Sequence, residues 1–438
     1  MTVLRAVPAV VLALLALPAA SSASWSPAMR VPQSAGAMWP ATAVNARGDV
    51  AVAWIQEGRR SGHATLRVRA AIRRGGSERF SVRTLVATRD RAARGAAVAL
   101  DARGELTVAW IEQASDNGRW HGRKIVRAAY RTPAGRWSGL QAIGRSRAFN
   151  YAVPRLAARP DGTVVLTYNS GTSAAPGVAA TWRRRGHGFG SLQAVPTGGQ
   201  YLFDPTLAVD PADGVFLTGT RGCNQPRSDV SLVTAPPGRR RFTTRTTVTT
   251  APGKTVRMAV MGPGAVALAW VSGKCDTTEE LGGRPFAATV RDGVAAAPVA
   301  LGDGVALNLI ASPAAAGADV TFSRLEANVA EAQLITSRIT ADGVVGAPTL
   351  VGDGWVALAG DSAGDQLVGR PGPLGSPTTP LAARPASGEP LEPAPVAAVG
   401  YPWTNGTVAA SDGRALAALS FRPLSSMTPS IVMSVWRP

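Results

Sequence analysis

The sequence predicts an all-β chain, a β-propeller of four-stranded blades, from three observations. The first is a repeat: an apolar stretch, a turn with Asp or Asn and Gly, then an alternating apolar stretch, clearest as "TAVNARGDVAVAW" and "VALDARGELTVAW". Weaker copies follow as "LAARPDGTVVLTY", "LAVDPADGVFLTG", "MAVMGPGAVALAW", "IASPAAAGADVTF", "ALAGDSAGDQLVG" and "TVAASDGRALAAL". The turn glycines Gly48, Gly104, Gly162, Gly214, Gly264, Gly317, Gly364 and Gly413 lie 47 to 58 residues apart. The second observation is another hairpin between copies, as in "IVRAAYRTPAGRWSGLQAIG" and "LITSRITADGVVGAPTL". Two hairpins make four antiparallel strands, and that number in about 40 to 50 residues is the signature of a propeller blade. The third is composition, rich in Ala, Val, Gly, Pro and Thr and poor in Lys and Glu, which favours strands and turns over helices.

Taken in order, the copies give eight blades, or seven if the degenerate stretch 308–395 holds one fewer. "GRPGPLGSPTTP" and "SGEPLEPAP" read as loops of one Pro-rich blade. The last unit, from "TVAASDGRALAALSF" to "SIVMSVWRP", supplies three strands. "SWSPAMRV", at 24–31, resembles the end of a unit, as in "RWSGLQAIG", and is expected to be the missing fourth strand. Such a closure leaves no open radial edge.

Residues 1–23 carry Arg5, the apolar run "AVPAVVLALLALPAA" and small residues at Ser21 and Ala23, the order of a secretory signal peptide. The run is short for a bilayer span, and Pro8 and Pro18 would interrupt a buried helix. A released or envelope-associated chain is expected, with 24–438 as a single propeller domain. Cys223 and Cys275 fall at matching positions of adjacent units, after Gly214 and Gly264, and a disulfide between them is the reading for a secreted chain.

The formal net charge is +18, unevenly placed. Residues 1–260 hold 36 basic and 13 acidic residues, whereas 261–438 hold 10 and 15. A basic half could attract anionic polysaccharide, acidic envelope polymers or nucleic acid. Nucleic acid is disfavoured because the arginines are scattered and only three lysines occur.

Function is expected on loops carried by the rigid scaffold. The blade-to-blade loops carry Trp39, Phe149 and Tyr151, Tyr201 and Phe203, Trp355, and Tyr401 and Trp403, aromatics suited to stacking on sugars or gripping a partner. Plugging the channel is the alternative for these rings. Trp54, Trp110 and Trp270 share one repeat position and are expected in the core. Glu57 and Glu112 open the loops between second and third strands, with His63 and His121 closing them. Paired carboxylates can act as general acid and base in glycoside cleavage, so Glu57, Glu112 and His121 are the catalytic candidates. Repeat equivalence accounts for both pairs without chemistry. No metal site or cofactor is implied, structural calcium at the Asp-Gly turns being the alternative to plain turn chemistry.

With these units the chain resembles secreted bacterial propellers of the sialidase-like superfamily, at the level of blade pattern. That superfamily's Asp-box sets Ser or Thr, Asp, Gly and an aromatic at fixed spacing. Thr132, Gly135 and Trp137 match one such turn without the Asp, and Thr340, Asp342 and Gly343 match another without the aromatic. "NYAVPRLAARPDGTVVLTY" is similar to the segment that carries an early arginine in sialidases, with Ala152 at that position and Arg155 displaced. The resemblance implies a carbohydrate-related propeller. It does not carry turnover, because the arginine cluster and the Tyr and Glu pair of a sialidase find no place here. The preferred expectation is therefore a monomeric, non-catalytic scaffold binding a glycan, an envelope polymer or a protein through its loop-bearing face. The alternatives are a glycoside hydrolase or lyase and a structural part of a surface assembly.

Overall fold

The computed structural model describes residues 24–60, 63–116, 119–146, 153–171, 176–199, 201–221, 229–273, 283–325, 332–360, 365–370, 379–386, 391–398, 408–409, 416–421 and 431–437. Among these, the strands form eight antiparallel sheets. Sheet I contains Ala37–Val44, Val50–Arg60, His63–Arg73 and Phe80–Arg89, and sheet II contains Arg91–Leu100, Leu106–Asp116, Arg119–Arg131 and Gln141–Ser146. Sheets III to VII follow at 155–195, 202–249, 253–300, 305–353 and 356–398. Sheet VIII joins Val408–Ala409, Leu416–Phe421 and Ile431–Arg437 to the N-terminal Ser24–Trp25 and Met29–Arg30. There Ser24 pairs with Arg437 and Trp25 with Trp436.

Strand alternation explains how the sheets stack. Val50, Val52 and Trp54 project to one side of sheet I and pack with Val31 and Met433. Ala51, Ala53 and Ile55 project to the other side and pack with Ala93, Val108 and Trp110 of sheet II. A strand sandwiched between two sheets has no solvent face, so it reads as continuously apolar. The same division continues along the chain, with one apolar cluster between each adjoining pair of sheets from II to VII. The first strand of each sheet touches the first strand of the next, and Val408–Ala409 touches Ala37–Val44. Face-to-face sheets sharing a set of innermost first strands are the arrangement of a β-propeller. Trp54, Trp110 and Trp270 are 0%, 0% and 2% exposed, in the core as expected.

The turns joining first and second strands follow one design in sheets I and II, where Asn45 and Asp101 take equivalent places. In sheet I, Gly48 adopts φ 73° and donates its N–H to Asn45 O, while Asn45 Oδ1 accepts from the N–H groups of Arg47 and Asp49. Sheet IV differs: Asp213 takes the left-handed conformation at φ 67°, and Gly214 follows it. Asp tolerates that region better than most side chains. The third-to-fourth turns emerge at the same end, where Thr132 Oγ1 accepts from Arg136 N–H at 3.2 Å and Thr340 Oγ1 from Val344 N–H at 3.1 Å. These are the two partial Asp-box turns, and both keep the hydroxyl that closes the loop.

Two local features depart from the sequence expectation. Pairing in the second hairpins of sheets I and II runs out to Arg60 with His63 and Asp116 with Arg119. Glu57, Glu112, His63 and His121 therefore sit in strands rather than loops, because a continued ladder satisfies backbone groups that a loop would leave to water. In addition, the innermost strand is bulged in sheets I, II, IV and V. Register skips from Met38 to Ala41, Arg94 to Ala97, Phe203 to Thr206, and Lys254 to Arg257, with two residues in each case facing one on the second strand. Pro40 and Pro205 lie in two of these bulges, where no ladder N–H is required. Among the described residues, no helix is long and apolar enough to cross a membrane.

Candidate functional site

The bulges build the candidate site. In sheet I the residues skipped are Trp39 and Pro40, opposite the buried Trp54. Trp39 is held at φ 51°, a conformation that a bulky side chain adopts at a cost of about 1–3 kcal/mol. Its side chain is nonetheless 58% exposed, so burial of the indole does not offset the strain. Thr255, at the equivalent place in sheet V, has φ 53°, and Gly95 in sheet II has φ 57°. Neighbouring innermost strands touch at these bulges: Arg155 Nε of sheet III donates to Pro205 O of sheet IV at 2.8 Å, and Thr206 Oγ1 of sheet IV to Val256 O of sheet V at 3.3 Å. Rigid innermost strands therefore present an exposed aromatic ring beside the axis, at the loop-bearing end.

The carboxylate candidates lie in the second strands of sheets I and II, in unequal situations. Glu57 is exposed, and its Oε1 accepts the Ala93 N–H of sheet II at 3.1 Å. Desolvation against that strand raises its pKa, and the Ala93 hydrogen bond and the nearby Arg94 charge offset part of the rise. Glu112 is 2% exposed and fully engaged. Its Oε1 accepts from Trp110 Nε1 at 3.1 Å, and its Oε2 accepts from Arg127 Nε at 2.7 Å and Arg91 at 3.5 Å. Glu112 thus satisfies the indole of a core tryptophan and anchors two arginines. The two carboxylates are not equivalent, although their repeat positions are.

Of the histidines, His63 lies 3.2 Å from Asp90 in an exposed pair, and His121 faces Ala114 in the ladder. Among the described residues no group of His, Cys, Asp or Glu is arranged to hold a metal ion. Of the other aromatics, Tyr201 is half-buried against the core between sheets II and III, and Trp355 against that between VI and VII. The Tyr201 hydroxyl is buried without a partner among the described residues, and burial raises its pKa. Phe203 pairs with Thr220 in sheet IV. Phe149, Tyr151, Tyr401, Trp403, Cys223 and Cys275 lie outside the described residues, as do the leader 1–23 and Ala152.

Several functional-looking groups carry little sequence signal. A cavity of about 380 Å³ opens at the loop end of sheet V, lined by Trp270, Phe286, Arg284 and Pro252 among others. Trp270 and Phe286 stack there at 6.1 Å with 15° between planes, so a residue predicted as pure core also edges a cavity. At the opposite end, Arg183, 0% exposed, forms an ion pair with Glu105 of sheet II, donates to Thr107 Oγ1 at 2.7 Å and stacks over Tyr130. The dipeptides Trp39-Pro40 and Asp204-Pro205 are the one signal that could have revealed the bulges, since proline within a strand marks an edge or a bulge.

No family model and no curated protein matches this chain. Solved structures do resemble it in chain path. A Penicillium chrysogenum alpha-L-arabinanase complexed with arabinobiose aligns over 94% of this chain and 98% of its own, with TM-score 0.42 and 10% identity. An ulvan lyase from a new family of polysaccharide lyase aligns over 74% and 89%, with TM-score 0.45 and 9% identity. A protein of unknown function from Dyadobacter fermentans aligns over 74% and 97%, with TM-score 0.40 and 10% identity.

Proposed function

We propose that the chain is a secreted, carbohydrate-directed β-propeller that takes a glycan at the axial mouth of its loop-bearing end. In this reading it has eight blades, and the N-terminal strand completes the last. A signal peptide at 1–23 directs it out of the cell, and Cys223 and Cys275 form a disulfide there. The observation that carries the reading is Trp39, an exposed indole kept in a strained conformation by a bulge on an innermost strand. Strain without local compensation is retained where pre-organisation serves a ligand, and a fixed indole face suits a sugar ring. Binding of a panel of plant and bacterial polysaccharides is expected to fall at least tenfold on Trp39→Ala, with the thermal midpoint unchanged or raised. Undiminished binding by that variant would remove the site from this mouth.

Within this reading, glycoside cleavage by a hydrolase or lyase is favoured by Glu57, an accessible carboxyl with a raised pKa and a cation beside it. A general acid has to hold its proton until the leaving group departs, and a raised pKa moves the Glu57 carboxyl in that direction. Glu57→Gln is expected to abolish release of reducing ends while leaving affinity within a few-fold. Absence of turnover by the wild-type chain on every polysaccharide it binds would leave the non-catalytic scaffold as the function.

A further inference from the structure

The end of the molecule opposite Trp39 is made of tight turns, and over sheets I to IV these turns are crowded with arginine. Strand register brings the two turns of each sheet to one end: Val44, Val50, Arg73 and Phe80 align in sheet I, and Ala158, Val164, Arg183 and Phe189 in sheet III. Exposed Arg47 projects from sheet I, Arg103 and Arg136 from II, Arg184 from III, and Arg240 and Arg241 from IV. Their turns are bonded into one surface. An Arg47 guanidinium nitrogen donates to Arg103 O at 2.6 Å, Arg185 reaches Asp101 at 2.9 Å, and Arg159 donates to Arg239 O at 2.7 Å.

Many acids at this end are already bound inward. Asp49 and Asp101 are buried and serve Arg47, Arg74 and Arg185, and Glu105 serves Arg183. Glu78 and Asp161 are the exposed acids in the turns of sheets I and III. The equivalent turn of sheet V sets Asp292 beside exposed Arg291, and that of sheet VI presents Asp342, so the excess of basic charge ends there. Burial lowers the Arg131 pKa and the Arg74 charge adds to the fall; burial also lowers the Arg159 pKa, where Asp161, Asp213 and Asp210 oppose the fall and Arg240 adds to it.

We infer that this arc of turns is a docking surface for a linear polyanionic polysaccharide carrying sulfate or uronic carboxylate groups, separate from the site at the loop-bearing end. Arginine forks recognise such planar or tetrahedral oxyanions two bonds at a time, and turns following one another around a disc match successive charges of one polymer. Two isolated leucines, Leu140 and Leu192, are exposed in the third-to-fourth connections of sheets II and III, after the bridges at Trp137 and Phe189 that close the arginine-bearing turns; no other exposed large hydrophobic residue lies in the turns of sheets I to IV, which leaves little apolar surface for a membrane to engage. No exposed aromatic interleaves with these arginines either, as stacking on nucleic-acid bases would require.

The test compares two charge-reversed forms of the mature chain. One carries Arg136→Glu, Arg184→Glu, Arg240→Glu and Arg241→Glu on the arc. The other carries Arg30→Glu, Arg67→Glu, Arg83→Glu and Arg89→Glu, all exposed positions off the arc. Both alter net charge equally, and circular dichroism establishes that each is folded. The probes are dextran sulfate, polygalacturonate, vesicles of phosphatidylglycerol and phosphatidylcholine, and duplex DNA, each across a salt series.

The expected result is binding of the two polysaccharides with a steep salt dependence. The arc variant loses at least 100-fold, and the slope of log affinity against log salt falls by about one per arginine. The off-arc variant loses less than tenfold. Equal losses in both reversed forms, or no loss in the arc form, would overturn the assignment of the arc. Arc-dependent binding of vesicles or DNA without binding of either polysaccharide would overturn the polysaccharide as its partner.

Discussion

Asp49 shows what one side chain in a tight turn can hold. Burial alone would raise its pKa, but hydrogen bonds from Gly75 N–H, Arg47, Asn45 and Arg74 together outweigh it and bring the value to about 2. A carboxylate whose folded pKa lies below its unfolded value near 4 stabilises the fold at all higher pH, and that contribution disappears as pH falls from about 4 to about 2. Asp49→Asn is therefore expected to cost roughly 1–3 kcal/mol at neutral pH. In denaturant titrations the gap between variant and wild type should close on acidification. A gap that stays constant down to pH 2 would mean that Asp49 acts by shape rather than charge. Glu112 makes a related point: buried against a tryptophan N–H and two guanidiniums, it has as much reason to be present for packing as for chemistry. Glu112→Gln keeps an acceptor for the indole but leaves Arg127 without its counter-charge, so a loss of stability is expected there, read as a lowered thermal midpoint.

At the scale of elements, the contact between sheets II and III rests on both apolar and ionic groups. Arg183 and Glu105 are buried partners from different sheets, and truncating either leaves an uncompensated charge. Each single change, Arg183→Met or Glu105→Gln, is expected to destabilise by about 3–5 kcal/mol, whereas changing both should cost clearly less than the sum. A double-mutant cycle in guanidinium checks this, and strict additivity would show that the pair is not coupled. The innermost-strand bulges act at this scale too. Each places two residues opposite one on the second strand, re-aiming a side chain without ending the strand. A single register slip elsewhere would turn apolar side chains to the wrong sheet, so the bulge is the local means of moving Trp39 alone.

For the whole molecule, the decisive contact is between the two chain ends. Ser24 and Trp25 pair with Arg437 and Trp436, and Trp25 Nε1 donates to Glu392 O in sheet VII at 3.0 Å. Removing residues 24–31 exposes an unpaired strand edge and the apolar surface under Val31. Truncation is expected to lower the thermal midpoint by several degrees and to promote association, read by calorimetry and light scattering. An unchanged midpoint would show that the eighth sheet contributes little to cooperativity.

The repeat made the architecture legible because strand alternation and turn chemistry are local, and a period of 47 to 58 residues writes them into the chain many times over. The core tryptophans, the tight turns and the tail-like start at 24–31 could all be read in this way. The inequality of Glu57 and Glu112, the strained display of Trp39, the Glu105 and Arg183 pair, and the arc of arginines could not. Each of these depends on which groups from separate sheets come within a few ångströms of one another. Repetition hides such differences, since equivalent positions carry the same letters whether or not a neighbouring sheet neutralises them. The sequence determined what each sheet would be, and tertiary structure decided which charges and rings were left facing outward, because desolvation and pairing are properties of the assembled surface.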